Sequence, residues 1–534
     1  MPRDRVGLQR CKLLLELAAT GSAHDAETTL SVPERSTPPN ILLIMTDQQR
    51  ADFTAAGGLG LDTMPFVDSL AARGTAFPGA YTSYPACVPA RTSLLTGRFP
   101  TAHRVRQNSV PTAATFAEDM LDVVRKAGYS THFVGKPHMH RGPDDFDSFR
   151  GPFMHTHGPE DGRSEEESAF DAWLRELDHG VHPEPTPFPL ECQLPYRIAS
   201  GAVEALDEAD PDRPVFLWAS FPEPHNPYQV PEPYFSLFGE DEVPDRLAGP
   251  EAIERKSGKY RWLRELTEQK RPGYDAGWRR YRANYLGMLR LLDDQIRRLV
   301  EHLGPRAENT VIVFLADHGD YVGEYGLQRK GAGMPECLVR IPLQFTGPGI
   351  AAQRRSELVS MVDVLPTLCA LAGAPVPEGV QGRSLAPLLA GEDPPPGEFD
   401  SVYAELGYGG VPYGDDERPP LHFPYEGATF DELNSVTQSG GQRMVRLGRH
   451  KLLMDGEGRG ELYDLDADPA ELDNRFEDPE FAEVRDALLV RLVRWTVRVA
   501  DDLPTGAYRA KTAPHNWRWA TPAHPSTTTG SREH

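Results

Sequence analysis

Short apolar runs that stop at polar residues recur between residues 40 and 345. Residues 40–47 (NILLIMTD), 131–135 (THFVG), 213–220 (RPVFLWAS), 310–317 (TVIVFLAD) and 340–345 (RIPLQF) share this form. It is the pattern of a strand covered on both faces, as in a parallel sheet. A shorter strand is expected at 76–81. Helical spacing alternates with these runs: Phe66, Val67 and Leu70 within 64–73, and Phe116, Met120, Val123 and Val124 within 115–126. Gly74 and Gly128 stop those two helices. The longest amphipathic stretch is 281–303, with Tyr285, Met288, Leu289, Leu292, Ile296, Leu299 and Leu303 on one stripe. Strand and helix alternate to about residue 375, which predicts an α/β fold, a doubly wound sheet sandwiched by helices. Ligands in that architecture sit beyond the carboxyl ends of the strands, where Asp47 and Asp317 end two of the apolar runs.

Segments 141–200 and 222–280 are rich in Pro, Glu and Asp and show little periodicity, so they read as insertions that wall the site. The pattern changes after residue 395. Residues 444–453 and 461–465 read as a β-hairpin, and 481–499 as a terminal helix. The expected organisation is a leader at 1–38, a catalytic domain at 39–395, a small α+β subdomain at 396–504 and a loose tail at 505–534.

Composition narrows the class. The 534 residues include 79 acidic and 56 basic side chains, a net charge of −23, which disfavours nucleic acid as a partner. An anionic substrate therefore needs a basic pocket or a metal site inside an acidic body. The 48 Gly and 50 Pro imply long loops around the core. Five scattered cysteines (Cys11, Cys87, Cys192, Cys337 and Cys369) include no C-x-x-C pair, which favours a reducing compartment, and a cytoplasmic location is expected. No apolar run approaches the ~20 residues of a membrane-spanning helix, so no membrane partner is expected. The stretch after Lys12 is too short and interrupted by Glu16 to read as a secretory signal.

The sharpest motif is 85–98 (PACVPARTSLLTGR), in which Cys87, Pro89 and Arg91 stand two residues apart at the opening of a helix. It resembles the sulfatase signature C-x-P-x-R, whose cysteine is oxidised after synthesis to formylglycine. Val88 and Ala90 stand where serine or another small residue is common. The resemblance continues in family order through 40–50 (NILLIMTDQQR), 61–77, 135–138 (GKPH), 224–228 (PHNPY), 316–319 (ADHG), 323–330 (GEYGLQRK), 449–452 (RHKL) and 461–465 (ELYDL). It thus spans nearly all of 39–500 outside the insertions, and it implies the alkaline-phosphatase-like fold.

The resemblance implies a small anionic ester as substrate and a formylglycine-generating maturation enzyme as partner. It also implies that the hydrated aldehyde at position 87 is the nucleophile and that its second hydroxyl releases the inorganic anion. Asp47, Gln48, Asp317 and His318, with residue 87, are the expected ligands of one divalent cation. The commonest sulfatase site has a second Asp at position 48 and often Asn at 318. The Gln48 and His318 found here look like the branch of choline-sulfatase-like enzymes and phosphonate monoester hydrolases. Calcium is the first choice, and the imidazole makes manganese a competitor.

A basic shell is expected around the cation. Arg91 lies one helical turn from Cys87, Lys136 and His138 stand at a strand end, and His225 and Lys330 approach from the leaving-group side as proton donors. Arg50 reads as a brace at the strand edge, and Glu336 and Arg340 as loop-fixing residues. His103, His132, His140, His155 and His157 read as structural. Phe153, Trp173, Tyr228, Tyr234, Tyr408, Tyr413, Phe423 and Tyr425 are ambiguous between pocket lining and local packing. The activity expected is sulfuric-ester hydrolysis, and the alternative is phosphonate monoester or phosphodiester hydrolysis at the same site. The oligomeric state and the natural alcohol are not legible.

Overall fold

A computed structural model describes residues 38–500 and Leu503, except 109, 152, 154–162, 179, 415–416, 418–423, 426–427 and 430–438. The expected leader and tail, and His155, His157 and Phe423, lie outside the described residues, as does the side chain of Tyr425.

In chain order the strands are β1 (Asn40–Thr46), β2 (Thr75–Ala76), β3 (Ala80–Tyr81), β4 (Ser130–Gly135), β5 (Ser148–Arg150), β6 (Val215–Phe221), β7 (Thr310–Ala316), β8 (Leu343–Thr346), β9 (Gln353–Arg354) and β10 (Val359–Ser360). β11 (Ser401–Gly409), β12 (Pro424–Tyr425), β13 (Ala428–Thr429), β14 (Gly440–Leu447), β15 (His450–Asp455) and β16 (Gly460–Asp464) follow. The longer helices are α1 (Pro65–Arg73), α2 (Cys87–Thr96), α3 (Met120–Lys126), α4 (Glu165–Leu177), α5 (Leu194–Glu208), α6 (Gly258–Lys270), α7 (Trp278–His302), α8 (Val364–Leu371) and α9 (Ala482–Arg498).

An eight-stranded sheet in the order β5-β4-β6-β1-β7-β8-β2-β9 forms the centre. β4, β6, β1 and β7 run parallel, and β8 is antiparallel to β7 and β2. Alternate residues of β1 face opposite sides, as strand geometry requires. Leu42 and Ile44 pack with α5 and α7, while Ile41, Leu43 and Met45 pack with α2, α3 and α8. The four central strands end level, Thr46 beside both Ala316 and Phe221, and Gly135 beside Ser220. That shared edge positions the site. Among the described residues, no helix is long and apolar enough to cross a membrane.

Several elements differ from the sequence reading. The strand expected at 76–81 is two short strands broken at Pro78 and Gly79. The third helix begins at Met120 rather than 115, because the Asp119 side chain accepts from the Leu121 and Asp122 N–H groups and caps the helix there. The run 340–345 enters the sheet only at Leu343, after Pro342, which has no N–H to donate. Segment 141–200 has little periodicity on paper, yet it supplies sheet strand β5, helix α4 and the first two turns of α5. α5 buries Ala199, Ala202 and Ala205 as well as Leu194 and Ile198, so small residues blur its apolar stripe. Segment 222–280 contains α6.

The C-terminal strands form an antiparallel sheet, β11-β14-β15-β16, larger than the hairpin expected. α9 covers it with Leu488, Leu492 and Trp495 against Tyr403, Val445 and Leu452.

One long-range cap locks two helices of the catalytic sheet together. The buried Asp293 carboxylate on α7 accepts from the Phe66 and Val67 N–H groups at the start of α1, at 3.0 and 2.8 Å. Burial pushes its pKa up to about 6 against those bonds. Asp293→Ala leaves both helix-terminal donors unmade, and it lowers unfolding free energy by about 1–2 kcal/mol. Chemical denaturation checks this, and an unchanged midpoint contradicts it.

Candidate active site

The level strand ends deliver most of the site. Asp47 and Gln48 follow β1, Lys136 follows β4, Glu223 and His225 follow β6, and Asp317 and His318 follow β7. Helix α2 enters above this edge with Cys87 as its first residue and is buried along its whole length. Its Val88 N–H finds no cap on its own helix and donates to Asn108 Oδ1 at 3.1 Å.

The structure brings Asp47, Cys87, Asp317 and His318 together. One potential ligand atom from each lies within 4.8 Å of the others, and all four residues are buried. That span is about twice a Ca–O distance of ~2.3–2.6 Å, so a single cation can touch all four. Cys87 Sγ lies 3.4 Å from His318 Nε2 and 3.6 Å from Asp47 Oδ1. His318 Nδ1 lies 2.8 Å from Gly319 O, a carbonyl that only accepts, so Nδ1 carries the proton and Nε2 faces the cluster with its lone pair. Burial lowers the His318 pKa, which keeps the ring neutral and suited to a cation. Two carboxylates and an imidazole nitrogen are a donor set that fits a divalent metal.

Cations complete the balance. Arg91 donates through Nε to Asp317 Oδ2 at 3.0 Å and through Nη2 to Asp47 Oδ2 at 3.1 Å. Its Nη1 donates to Lys136 O and Ser220 Oγ. Lys136 Nζ lies 2.6 Å from Asp47 Oδ2 and 4.0 Å from Cys87 Sγ. Burial pushes the Asp47 carboxyl up, but Lys136, His225 and Arg91 outweigh it and hold it well below the usual range. The Cys87 thiol goes the other way. Burial and Asp47 push it up to about 11, so at neutral pH the unmodified thiol is protonated and a poor nucleophile.

Other expected residues take different partners. The Gln48 side chain is tied to its own network, donating from Nε2 to Asp320 Oδ2 at 2.6 Å and accepting at Oε1 from Lys330 Nζ at 2.8 Å. Gln48 sits at φ 68°, a conformation costly for a non-glycine residue; its N–H bonds to Asp317 and its carbonyl to the Tyr285 hydroxyl. His138 is also left-handed, at φ 36°. Burial, with Lys136 and Arg91 beside it, drives its pKa well down, so it presents a neutral ring rather than the cation expected of a basic shell. His225 is partly exposed and donates from Nδ1 to Asn226 O. Arg50 braces the edge through Asp52 and Glu324. Glu336 accepts from Tyr81 and Lys451, tying β15 to β3.

His103 bonds Ser93 and the Val105 N–H, and His140 bonds Asp119. Trp173 packs locally against Phe170, Phe188 and His182. The buried Tyr228 hydroxyl donates to Asp320.

Two residues escaped the sequence reading. Buried Asp320 accepts from Gln48, Tyr228, Tyr281 and the Val322 N–H. Because a carboxylate accepts and an ammonium donates, Asp320 and Lys330 together fix which way the Gln48 amide points. Its position one residue beyond the ADHG segment was the available signal. Glu223 offers its carbonyl to the Asp47 N–H at 3.2 Å, while burial pushes its own carboxyl up to about 8. Nothing in the local sequence marks it.

Asp320→Asn puts an amide against the Gln48 amide and frees Lys330 from its set position. The expected loss is about 10–100-fold in kcat/KM for an aryl sulfate, with an unchanged far-UV spectrum. Full activity in that variant contradicts the positioning role.

Comparison with known proteins agrees with this geometry. The family model described as Sulfatase matches residues 39–374. An arylsulfatase from Clostridium perfringens is 26% identical over 490 residues, covering 85% of this chain and 94% of that protein. A choline-sulfatase from Rhizobium meliloti is 29% identical, covering 83% of each. The fold also matches the phosphonate monoester hydrolase of Agrobacterium radiobacter with a TM-score of 0.72 at 24% identity, over 90% of this chain and 99% of that one. The chain belongs to the sulfatase family.

Proposed function

We propose that the protein hydrolyses a sulfate monoester, R–O–SO₃⁻ + H₂O → R–OH + SO₄²⁻ + H⁺, with residue 87 as formylglycine. The observation that carries this reading is Cys87 Sγ lying among the Asp47, Asp317 and His318 ligand atoms at the carboxyl edge of the sheet. Formylglycine supplies a hydrated aldehyde as nucleophile, and a divalent cation held by Asp47, Asp317 and His318 supplies Lewis acidity. Calcium suits the carboxylates, and manganese suits the imidazole equally well.

The chain's own residues do the rest. Lys136 is close enough to position 87 to donate to an ester oxygen while it neutralises Asp47. Arg91 holds both carboxylates, so neither turns away as charge builds on the substrate. Lys330, held through Gln48, and partly exposed His225 are the proton donors proposed for the leaving oxygen. Neutral His138 offers a hydrogen bond to the anion without adding charge.

Protein matured with a formylglycine-generating enzyme is expected to show the residue-87 peptide lighter than its thiol form by about 18 Da. It should hydrolyse 4-nitrophenyl sulfate, with Cys87→Ala at least about 10³-fold slower. Chelation abolishes turnover, and calcium or manganese restores it. A kcat/KM strongly favouring a phenyl phosphonate ester replaces the sulfatase reading with phosphonate monoester hydrolysis. An unaltered thiol in active protein overturns the nucleophile.

A further inference from the structure

A cavity of about 590 Å³ lies between the loop after β7, residues 354–358 and the C-terminal sheet. None of Asp47, Cys87, Asp317, His318, Lys136 or Lys330 lines it. Its wall carries carboxylates and guanidinium groups, and the two differ in how fully they are bonded.

Most of the carboxylates are occupied. Asp52 takes two bonds from Arg50, and Glu324 takes Arg50, Arg282 and the Ala248 N–H. Glu336 takes Lys451 and the Tyr81 hydroxyl, and Glu471 takes Lys451 and the Glu336 N–H. Asp466, at the exposed edge, is the exception.

Of the five guanidinium groups, Arg50 is bonded to Asp52, Tyr321 O and Glu324, and Arg355 to Glu357, Gln353 and Glu392 O, while Arg340, Arg354 and Arg446 keep unused donors. Arg340 approaches Glu336 at 3.7 Å, beyond hydrogen-bond distance, and its side chain is 26% exposed. Arg354, exposed at the rim, donates among the described residues only from Nη1, to Ala56 O at 3.2 Å. Arg446 uses Nε and Nη1, and its Nη2 has no acceptor among the described residues. A half-buried guanidinium with free N–H groups is matched by a planar or tetrahedral oxyanion. Leu247, Leu358 and Leu465 add apolar surface beside it, and the volume falls in the range of small-molecule sites.

We infer that this cavity binds an organic oxyanion, a carboxylate or sulfonate-like group on a ring-sized body, at a site separate from the catalytic centre. The guanidinium groups of Arg340 and Arg354 hold the anionic head, and the leucines take the body. Two sources share that chemistry, sulfated compounds and carboxylic acids.

Benzenesulfonate and benzoate, neither of which the enzyme hydrolyses, distinguish the sources. Each is soaked separately into crystals of the matured protein, and inorganic selenate serves as a third arm. The variant carrying Arg340→Ala and Arg354→Ala is tested alongside. Density for either organic anion in the cavity, binding at least about tenfold weaker in the variant by calorimetry, and unchanged 4-nitrophenyl sulfate turnover support the inference. The better-bound organic anion identifies the head group. Selenate alone in the cavity, an empty cavity, or organic-anion binding that the substitutions leave unaltered overturns it.

Discussion

The fork of Arg91 between Asp47 and Asp317 is the constraint on which the rest depends. None of the three side chains is exposed. A buried charge without a partner costs several kcal/mol, so two carboxylates at adjacent strand ends cannot be enclosed without a cation between them. Arg91 stands one turn along α2 from Cys87. The same pairing that neutralises the carboxylates therefore fixes α2 above β1 and β7 and sets position 87 beside His318. Electrostatic balance and the placement of residue 87 are one geometric fact. It also reconciles an acidic body of net charge −23 with an anionic substrate, because Arg91, Lys136 and Lys330 converge where the sheet ends.

Strain accompanies this arrangement. Gln48 and His138, and Val322 and Arg329 in the loop that leads to Lys330, all adopt positive φ. For β-branched Val322 that conformation is a pronounced outlier. Two of these are held from outside: Gln48 by Tyr285 and Asp317, and the loop by Arg282, which donates to Val322 O and Glu324. The surrounding core over-determines conformations the loops would not adopt alone.

The sequence showed the central strands because parallel strands under helices must be apolar on both faces, and β1, β6 and β7 are. Asp47 and Asp317 were legible as carboxylates at the ends of those runs, and Cys87, Arg91 and His318 through the resemblance to sulfatase motifs. Four things were not. α5 hides its stripe in alanines, and α4 announces itself only by the Ser164–Glu167 capping box. The role of Asp320 depends on Tyr228 and Tyr281, which lie 92 and 39 residues away from it. The neutrality of His138 depends on burial, and one-dimensional spacing carries no information about that.

The most direct test is a high-resolution crystal structure of the enzyme-matured protein, with anomalous data collected at a manganese edge. The account predicts one ion in contact with Asp47, Asp317, His318 and an oxygen of residue 87, with Arg91 still bridging the two carboxylates. A residue-87 side chain turned away from Asp317, with no ion between the carboxylates, contradicts it.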